Sequence, residues 1–117
     1  MTAASRKLGI SGEAAAAQWY LDRGFQVVAQ NWRAGRQGEI DLIARKGSLC
    51  AICEVKTRTS SAFGTAAESV TAVKQRKLRT LAAAWLAARE EPGWLDVRFD
   101  VACVDSTGAV DMIEAAF

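Results

Sequence analysis

The chain has 117 residues, half of them hydrophobic and about a quarter charged, with a net charge of +2, which predicts one globular domain over residues 1–117. The longest apolar run, residues 81–88, is too short to span a bilayer, and no apolar segment follows the basic N-terminal residues as in a secretory signal, so we expect a cytoplasmic protein without membrane contact. Because the chain has no histidine, Ser-His and Cys-His catalysis are excluded.

The predicted elements begin with a helix that starts after Ser11, as N-cap, and stops at Gly24. The following elements, in chain order, are a strand over 25–32, a β-hairpin over 38–58 with its turn near 46–47, a helix over about 69–89, a strand over 96–105 and a short final strand after 109. This α-β-β-β-α-β order predicts an α/β (α+β) fold in which helices flank a mixed central β-sheet.

The hairpin carries charges that a core hairpin would not be expected to contain. In either of two plausible registers, Asp41, Glu54 and Lys56 lie on one face of the sheet, within about 5 to 8 Å of one another. Two close carboxylates repel each other unless a cation lies between them, and Mg²⁺ typically takes one or two carboxylates together with water and phosphate. The pattern therefore predicts a metal site for phosphodiester hydrolysis, with a salt-bridge ladder on an exposed face as the alternative.

Basic residues are concentrated in the second half of the hairpin and in the second helix. Residues 56–89 contain seven basic residues and one acidic residue, which predicts an anionic partner, although a solvated lysine-rich helix would show the same excess. Lys74 lies one helical turn before Leu78 on the apolar stripe, so we expect it to point toward the sheet, with Arg76 and Lys77 beside it. The alternative for Lys74 is a snorkelling lysine.

The cysteines fit a reducing compartment. Three cysteines do not form a disulfide framework, and Cys50 and Cys53 would face opposite sides of a strand despite a spacing that is found in zinc sites. We interpret them as packed thiols.

Together, Asp41 and Glu54-Val55-Lys56, with twelve residues between Asp41 and Glu54, resemble the PD-(D/E)xK nuclease motif. The blocks "GISGEAAAAQWYLDRGF", "NWR", "GEIDLI", "CEVKTR", "FG", "AVKQRKL" and "RFDVACV" resemble, in the same order, the YraN-like family of predicted nucleases related to Holliday-junction resolvases. The resemblance covers residues 9–104. It implies a restriction-endonuclease-like core and a metal-dependent endonuclease that acts on DNA, with branched DNA as one possible substrate.

The resemblance also implies roles for individual residues. Asp41 and Glu54 would hold Mg²⁺ or Mn²⁺, and Lys56 would serve catalysis. Glu13 would match a first-helix glutamate of resolvase-like members. Lys74 would match the second-helix lysine of the family, and Arg58 would lie near the substrate phosphate. With the basic residues of the second helix, the predicted nucleic-acid-binding residues are Arg58, Lys74, Arg76, Lys77 and Arg79.

Two departures from the superfamily pattern are visible. Ile40 stands where the motif name has proline, and the Gln-x-x-x-Tyr helix pattern of RecB-like nucleases is absent, which argues against a RecB-like substrate. Two other hypotheses stay open: a non-catalytic nuclease-fold module that binds nucleic acid or a protein partner, and an interaction protein with a salt-bridge network. The role of Glu39 and a homodimeric state are also left open.

Overall fold

The structure, a computed structural model, describes residues 3–57 and 70–117, which form a mixed sheet with a helix on each face. The elements are α1 (Ala3–Asp22), β1 (Gln26–Arg33), β2 (Glu39–Lys46), β3 (Leu49–Thr57), α2 (Ala72–Ala88), β4 (Asp96–Val104) and β5 (Val110–Ile113). The five strands lie in the order β1-β2-β3-β4-β5. All pairs are antiparallel except β3 and β4, which α2 connects. The predicted mixed α+β fold and the short last strand are therefore confirmed.

The first helix is longer than its sequence pattern suggested. It begins at Ala3, so the prediction that Ser11 caps its start is wrong. Residues 3–8 contain alanine, arginine, lysine and leucine, which favour helix, and they carry the helix through the weaker formers Gly9 and Ser11. Its predicted end is confirmed, because Gly24 adopts a φ of +85°, which glycine tolerates.

The second helix begins later than the predicted residue 69. The hydroxyl of Thr71 accepts a hydrogen bond from the backbone N–H of Lys74 at 3.2 Å, so Thr71 is the N-cap and Ala72 the first helical residue. Leu78, Leu81 and Ala82 are buried against the sheet. This apolar stripe fixes the rotation of α2 and thereby directs the residue one turn earlier, Lys74, toward β3.

The hairpin of β2 and β3 has its turn at 47–48, one residue later than predicted, because Lys46 still pairs with Leu49. Ile43 lies opposite Ile52. Of the two registers that the sequence allowed, this is the one that places Asp41 opposite Glu54, although the regular ladder ends one pair earlier, at Leu42 and Cys53.

Both faces of the hairpin are buried. Leu42, Ala51 and Cys53 belong to the core under α1, whereas Cys50 and Ile52 belong to the core under α2. The charged residues of the hairpin thus lie at one end of a buried face, beyond the apolar residues that α2 covers.

Ile40 does not share the core of Leu42, as strict alternation predicted. It packs with the cluster under α2 instead. Ile40 lies opposite Trp32 of β1, which packs against the same cluster, and Asn31 between the pairs Gln30–Leu42 and Trp32–Ile40 has a φ of +50°. Side chains alternate only while the backbone stays extended, so this residue interrupts the alternation.

No helix in residues 3–57 and 70–117 has both the length and the apolar character that a membrane crossing requires.

Candidate active site

A cavity of about 210 Å³ lies between α2 and the adjacent ends of β2 and β3. Glu39, Asp41 and Glu54 line it from the sheet, while Lys74 and Lys77 line it from the helix. Leu78 and Leu81 supply apolar contacts. Acidic groups on one wall and ammonium groups on the other make this cavity the candidate active site.

Glu54 is the most buried charge in the cavity, with only 9% of its side chain exposed. Its Oε1 lies 2.6 Å from Nζ of Lys74 and 3.7 Å from Nζ of Lys56. The predicted inward direction of Lys74 is thus what the structure shows. A carboxylate as buried as Glu54 requires compensation, and the two ammonium groups provide it.

Asp41 lines the same cavity but is compensated differently. Its Oδ2 accepts a hydrogen bond from the backbone N–H of Val55 at 2.8 Å. Burial raises the pKa of Asp41 to about 6, and repulsion from Glu54, Glu13 and Glu39 adds to this, although the Val55 N–H acts in the opposite direction. Asp41 is therefore the group in the cavity whose charged form an added cation would stabilise most.

The pKa values of the two lysines next to Glu54 are shifted in opposite directions. Burial, together with the neighbouring ammonium of Lys74, lowers the pKa of Lys56. Burial opposes the charged form of Lys74 as well, but the hydrogen bond to Glu54 outweighs it and raises the pKa of Lys74. Lys56 therefore releases a proton more readily than an ordinary lysine, whereas Lys74 is the firmer counterion.

Glu13 approaches the site from α1. Asn31, at the end of β1, donates a hydrogen bond from Nδ2 to Oε2 of Glu13 at 3.1 Å, and Glu13 contributes to the raised pKa of Asp41. The preceding Gly12 packs so closely on the side chain of Thr57 that a Cβ there would collide with it. Glycine at this position lets α1 lie against the end of β3, and Glu13 comes close enough to Asp41 to raise its pKa without lining the cavity.

Asn31 was not singled out from the sequence. Its backbone has a φ of +50°, a conformation that asparagine adopts more readily than most residues. The turn-forming character of asparagine within the strand-like segment "FQVVAQNW" is the signal that could have identified it.

The donor set suits a hard cation only in part. Within residues 3–57 and 70–117, no group of three or more Asp, Glu, Cys or His side chains is arranged to hold a metal ion. Mg²⁺ commonly needs only one or two carboxylates with waters and phosphate, and Asp41 and Glu54 meet that requirement. However, Lys74 already occupies one oxygen of Glu54.

The structure locates most of the predicted nucleic-acid-binding residues on α2. Arg76 and Lys77 are exposed, and Lys77 also reaches the cavity. The guanidinium of Arg79 lies over two aromatic rings, 5.5 Å from the centroid of Phe99 and 5.2 Å from that of Phe117. Arg58 lies outside the described residues.

Glu39, whose role the sequence left open, lines the cavity and forms a cross-strand ion pair with Arg33 at 3.2 Å. It therefore contributes negative charge near Asp41, while its own carboxylate is held by the edge strand β1.

A second buried polar cluster, which the sequence did not reveal, joins α1 to β4. The hydroxyl of Tyr20 donates to Oδ2 of Asp100 at 2.6 Å, and Arg98 donates two hydrogen bonds to the same carboxylate at 2.8 and 2.9 Å. Burial, with Cys53 and Asp100 nearby, raises the pKa of Tyr20. The Arg-x-Asp spacing on a strand, which puts both side chains on one face, was the available signal.

The cysteines are free thiols, and Cys50 and Cys53 pack in cores on opposite faces of the sheet, as predicted. Burial raises the pKa of Cys50 to about 11 and that of Cys53 to about 12. Neither is therefore an activated nucleophile.

Comparison with known proteins adds an independent finding. The profile described as "Uncharacterised protein family UPF0102" matches residues 12–104. A UPF0102 protein of Nocardia farcinica is 46% identical over 114 residues, covering 94% of this chain and 88% of the relative. UPF0102 proteins of Rhodococcus opacus and Mycolicibacterium vanbaalenii are each 44% identical, covering 83% and 88% of this chain and 80% and 84% of the respective relatives.

Proposed function

Because the chain belongs to the UPF0102 family, the YraN-like group of predicted nucleases, we propose that it is a metal-dependent endonuclease that hydrolyses phosphodiester bonds of DNA. One observation carries the proposal. Asp41 from β2 and Glu54 from β3 line the same cavity with Lys74, and Lys56, next to the cavity, lies 3.7 Å from the same carboxylate oxygen of Glu54 that Lys74 contacts. A second, partly buried carboxylate beside this ion pair, with its pKa raised to about 6, supports the proposal because perturbed pKa values cluster at functional sites.

In this proposal Asp41 and Glu54 hold Mg²⁺ or Mn²⁺, and Glu13 adds negative charge from α1. When bound, such a cation acidifies a water molecule and neutralises charge on the phosphate. Asp41 suits this role because its Oδ2 is fixed by the Val55 N–H while neighbouring carboxylates repel its charge. Glu54 suits it because its carboxylate is buried on β3 and lines the same cavity.

Lys56 is the proposed catalytic lysine. It lies two residues after Glu54 on the same strand, with its ammonium 3.7 Å from Oε1 of Glu54, and its pKa is lowered. From that place it can orient the attacking water or donate to the charged phosphate oxygens of the transition state. Its side chain is 28% exposed, so a substrate can approach it.

The proposed substrate surface is the exposed side of α2. Arg76 and Lys77 project from it, and Lys77 connects it with the cavity. Phosphate groups that contact these side chains would bring the DNA backbone toward the carboxylates. The resemblance to resolvases makes branched DNA the substrate class to test first.

The test of this function is cleavage of a DNA panel that contains a duplex, a flap and a four-way junction, with Mg²⁺ or Mn²⁺. We expect cleavage of at least one substrate by the wild-type protein, none in EDTA, and none by Asp41→Ala. Asp111→Asn, which removes an exposed acidic charge from β5, is the matched control and should cut at the wild-type rate. Equal cleavage by Asp41→Ala would refute the assignment of the site.

A binding measurement tests the metal site separately from catalysis. Calorimetry with Mn²⁺ should show binding to the wild-type protein and much weaker binding to Glu54→Ala. Identical titrations of the two proteins would place any metal elsewhere. Circular dichroism in EDTA should be unchanged, because apolar cores on both faces of the hairpin hold the fold independently of metal.

A second candidate function is a nuclease-fold module that binds nucleic acid or a protein partner without turnover. The observation that favours it is the 2.6 Å contact by which Lys74 occupies Glu54. DNA binding without cleavage of any substrate in the panel, at saturating protein and metal, would support this module over the enzyme.

A further inference from the structure

The charges in the active-site cavity are unevenly compensated. Two ammonium groups lie within 4 Å of Oε1 of Glu54. Among residues 3–57 and 70–117, in contrast, Asp41 accepts a hydrogen bond only from the backbone N–H of Val55, and no lysine or arginine forms an ion pair with it. A divalent cation held by Asp41 and Glu54 would reduce this imbalance, and Lys74 occupies one oxygen of Glu54.

The position of Lys74 allows its ammonium group to move away from Glu54. It is the third residue of α2, and its backbone N–H is held by the Thr71 hydroxyl. Leu78 and Leu81 anchor the helix to the sheet independently of it. Because its four-carbon stem is flexible and its side chain is 38% exposed, the ammonium can rotate toward solvent without displacing the helix.

We propose that Lys74 is a displaceable counterion that occupies the Glu54 carboxylate in the metal-free protein and competes with the divalent cation for it. The inference rests on the proposed function, since it concerns the same two carboxylates. It assigns Lys74 a positioning role, which is to hold the Glu54 carboxylate in place in the cavity until the cation arrives.

The competition has a consequence for the substrate. Once the cation holds Glu54, the ammonium of Lys74 is free at the mouth of the cavity, on the same helix as Arg76 and Lys77. There it can bind a phosphate oxygen. A phosphate that captures Lys74 removes the competitor of the cation, so cation and phosphate strengthen each other's binding, and this coupling is reciprocal.

The test is a titration of the full chain with Mn²⁺ in the absence of DNA, in which electron paramagnetic resonance measures the concentration of the free ion. We expect Lys74→Met to bind Mn²⁺ about tenfold more tightly than the wild-type protein, because a charge-assisted hydrogen bond no longer has to be broken. Lys74→Arg, which keeps the charge, should stay close to wild type. Lys77→Met removes one positive charge from the same cavity without the contact to Glu54, so its affinity should rise much less.

A double variant shows whether the effect passes through Glu54. In the Glu54→Gln background, Lys74→Met should no longer strengthen Mn²⁺ binding, because the carboxylate for which both cations compete has gone. Circular dichroism of each variant verifies the fold.

The outcomes separate the two proposals. Absence of Mn²⁺ binding to every variant would overturn the metal site and this inference together. If the wild-type protein binds Mn²⁺ and Lys74→Met binds it equally or more weakly, only this inference is overturned. Equal strengthening by Lys77→Met would show a general charge effect and would also overturn it.

Discussion

Removing the charge of Asp41 is expected to stabilise the metal-free protein at neutral pH, although the same change should abolish activity. Folding raises the pKa of Asp41 from 3.8 to about 6, chiefly through burial. Each pKa unit corresponds to about 1.4 kcal/mol, so the charged carboxylate costs the fold about 3 kcal/mol above pH 6. Because water still reaches the carboxylate in part, we expect Asp41→Asn to gain about 2 kcal/mol.

The sign of the pH dependence follows from the raised pKa. The folded state binds the proton of Asp41 more tightly than the unfolded state does. The stabilisation of the folded state by the proton on Asp41 is therefore complete below pH 3.8 and is lost as the pH rises through about 6. The advantage of Asp41→Asn should thus be large at pH 7.5 and small at pH 4. The amide oxygen still accepts from the Val55 N–H, so that hydrogen bond is kept.

Urea unfolding in EDTA, followed by tryptophan fluorescence at both pH values, measures this difference. Asp111→Asn removes an equal formal charge from the exposed side of β5 and controls for net charge. A variant Asp41→Asn that is no more stable than wild type at pH 7.5, or that gains as much at pH 4, would refute the account of Asp41 as a destabilised carboxylate. Saturating Mn²⁺ should make the wild-type protein more stable than Asp41→Asn, because the cation stabilises only the wild-type protein.

Three further changes test other parts of the structure. Lys56→Met should reduce single-turnover cleavage about 10²- to 10³-fold while Mn²⁺ affinity stays unchanged or rises, and cleavage at the wild-type rate would make the lysine structural. Exchanging Arg76 and Lys77 for Ala should flatten the salt dependence of DNA binding in Ca²⁺ by about one to two units of logarithmic slope, whereas an unchanged slope would place the binding surface elsewhere. Gly12→Ala should cost about 1 to 3 kcal/mol in urea unfolding, because its Cβ meets Thr57; unchanged stability would contradict the close packing of α1.

Several features of the site followed from local sequence patterns. The alternation of the hairpin placed Asp41, Glu54 and Lys56 together, and the register of β2 and β3 agrees with one of the two that were considered. The apolar stripe of the second helix directed Lys74 toward the sheet, where it contacts Glu54. These predictions succeeded because they depend on periodicity within one element or on a short turn, which nearby residues determine.

Other local patterns were misleading. Ser11 has the chemistry of an N-cap, yet the helix continues through it to Ala3. A capping residue contributes only about 1 kcal/mol, and serine costs a helix interior little, so preceding residues that favour helix can extend it past a capping residue. Strict alternation along β2 predicts that Ile40 shares the core of Leu42, yet Ile40 packs under α2, because the neighbouring strand β1 is irregular at Asn31.

By itself, the sequence determined the order of the elements, the acidic and basic residues of the hairpin and the family to which the chain belongs. Only the tertiary structure decided that Asn31 holds Glu13, that Tyr20 and Arg98 converge on Asp100, and that Glu54 is already occupied by Lys74. Apart from the pair of Arg98 and Asp100 within β4, these contacts join different elements of the chain. Their geometry depends on how two helices pack on opposite faces of one sheet, and no local periodicity encodes that packing.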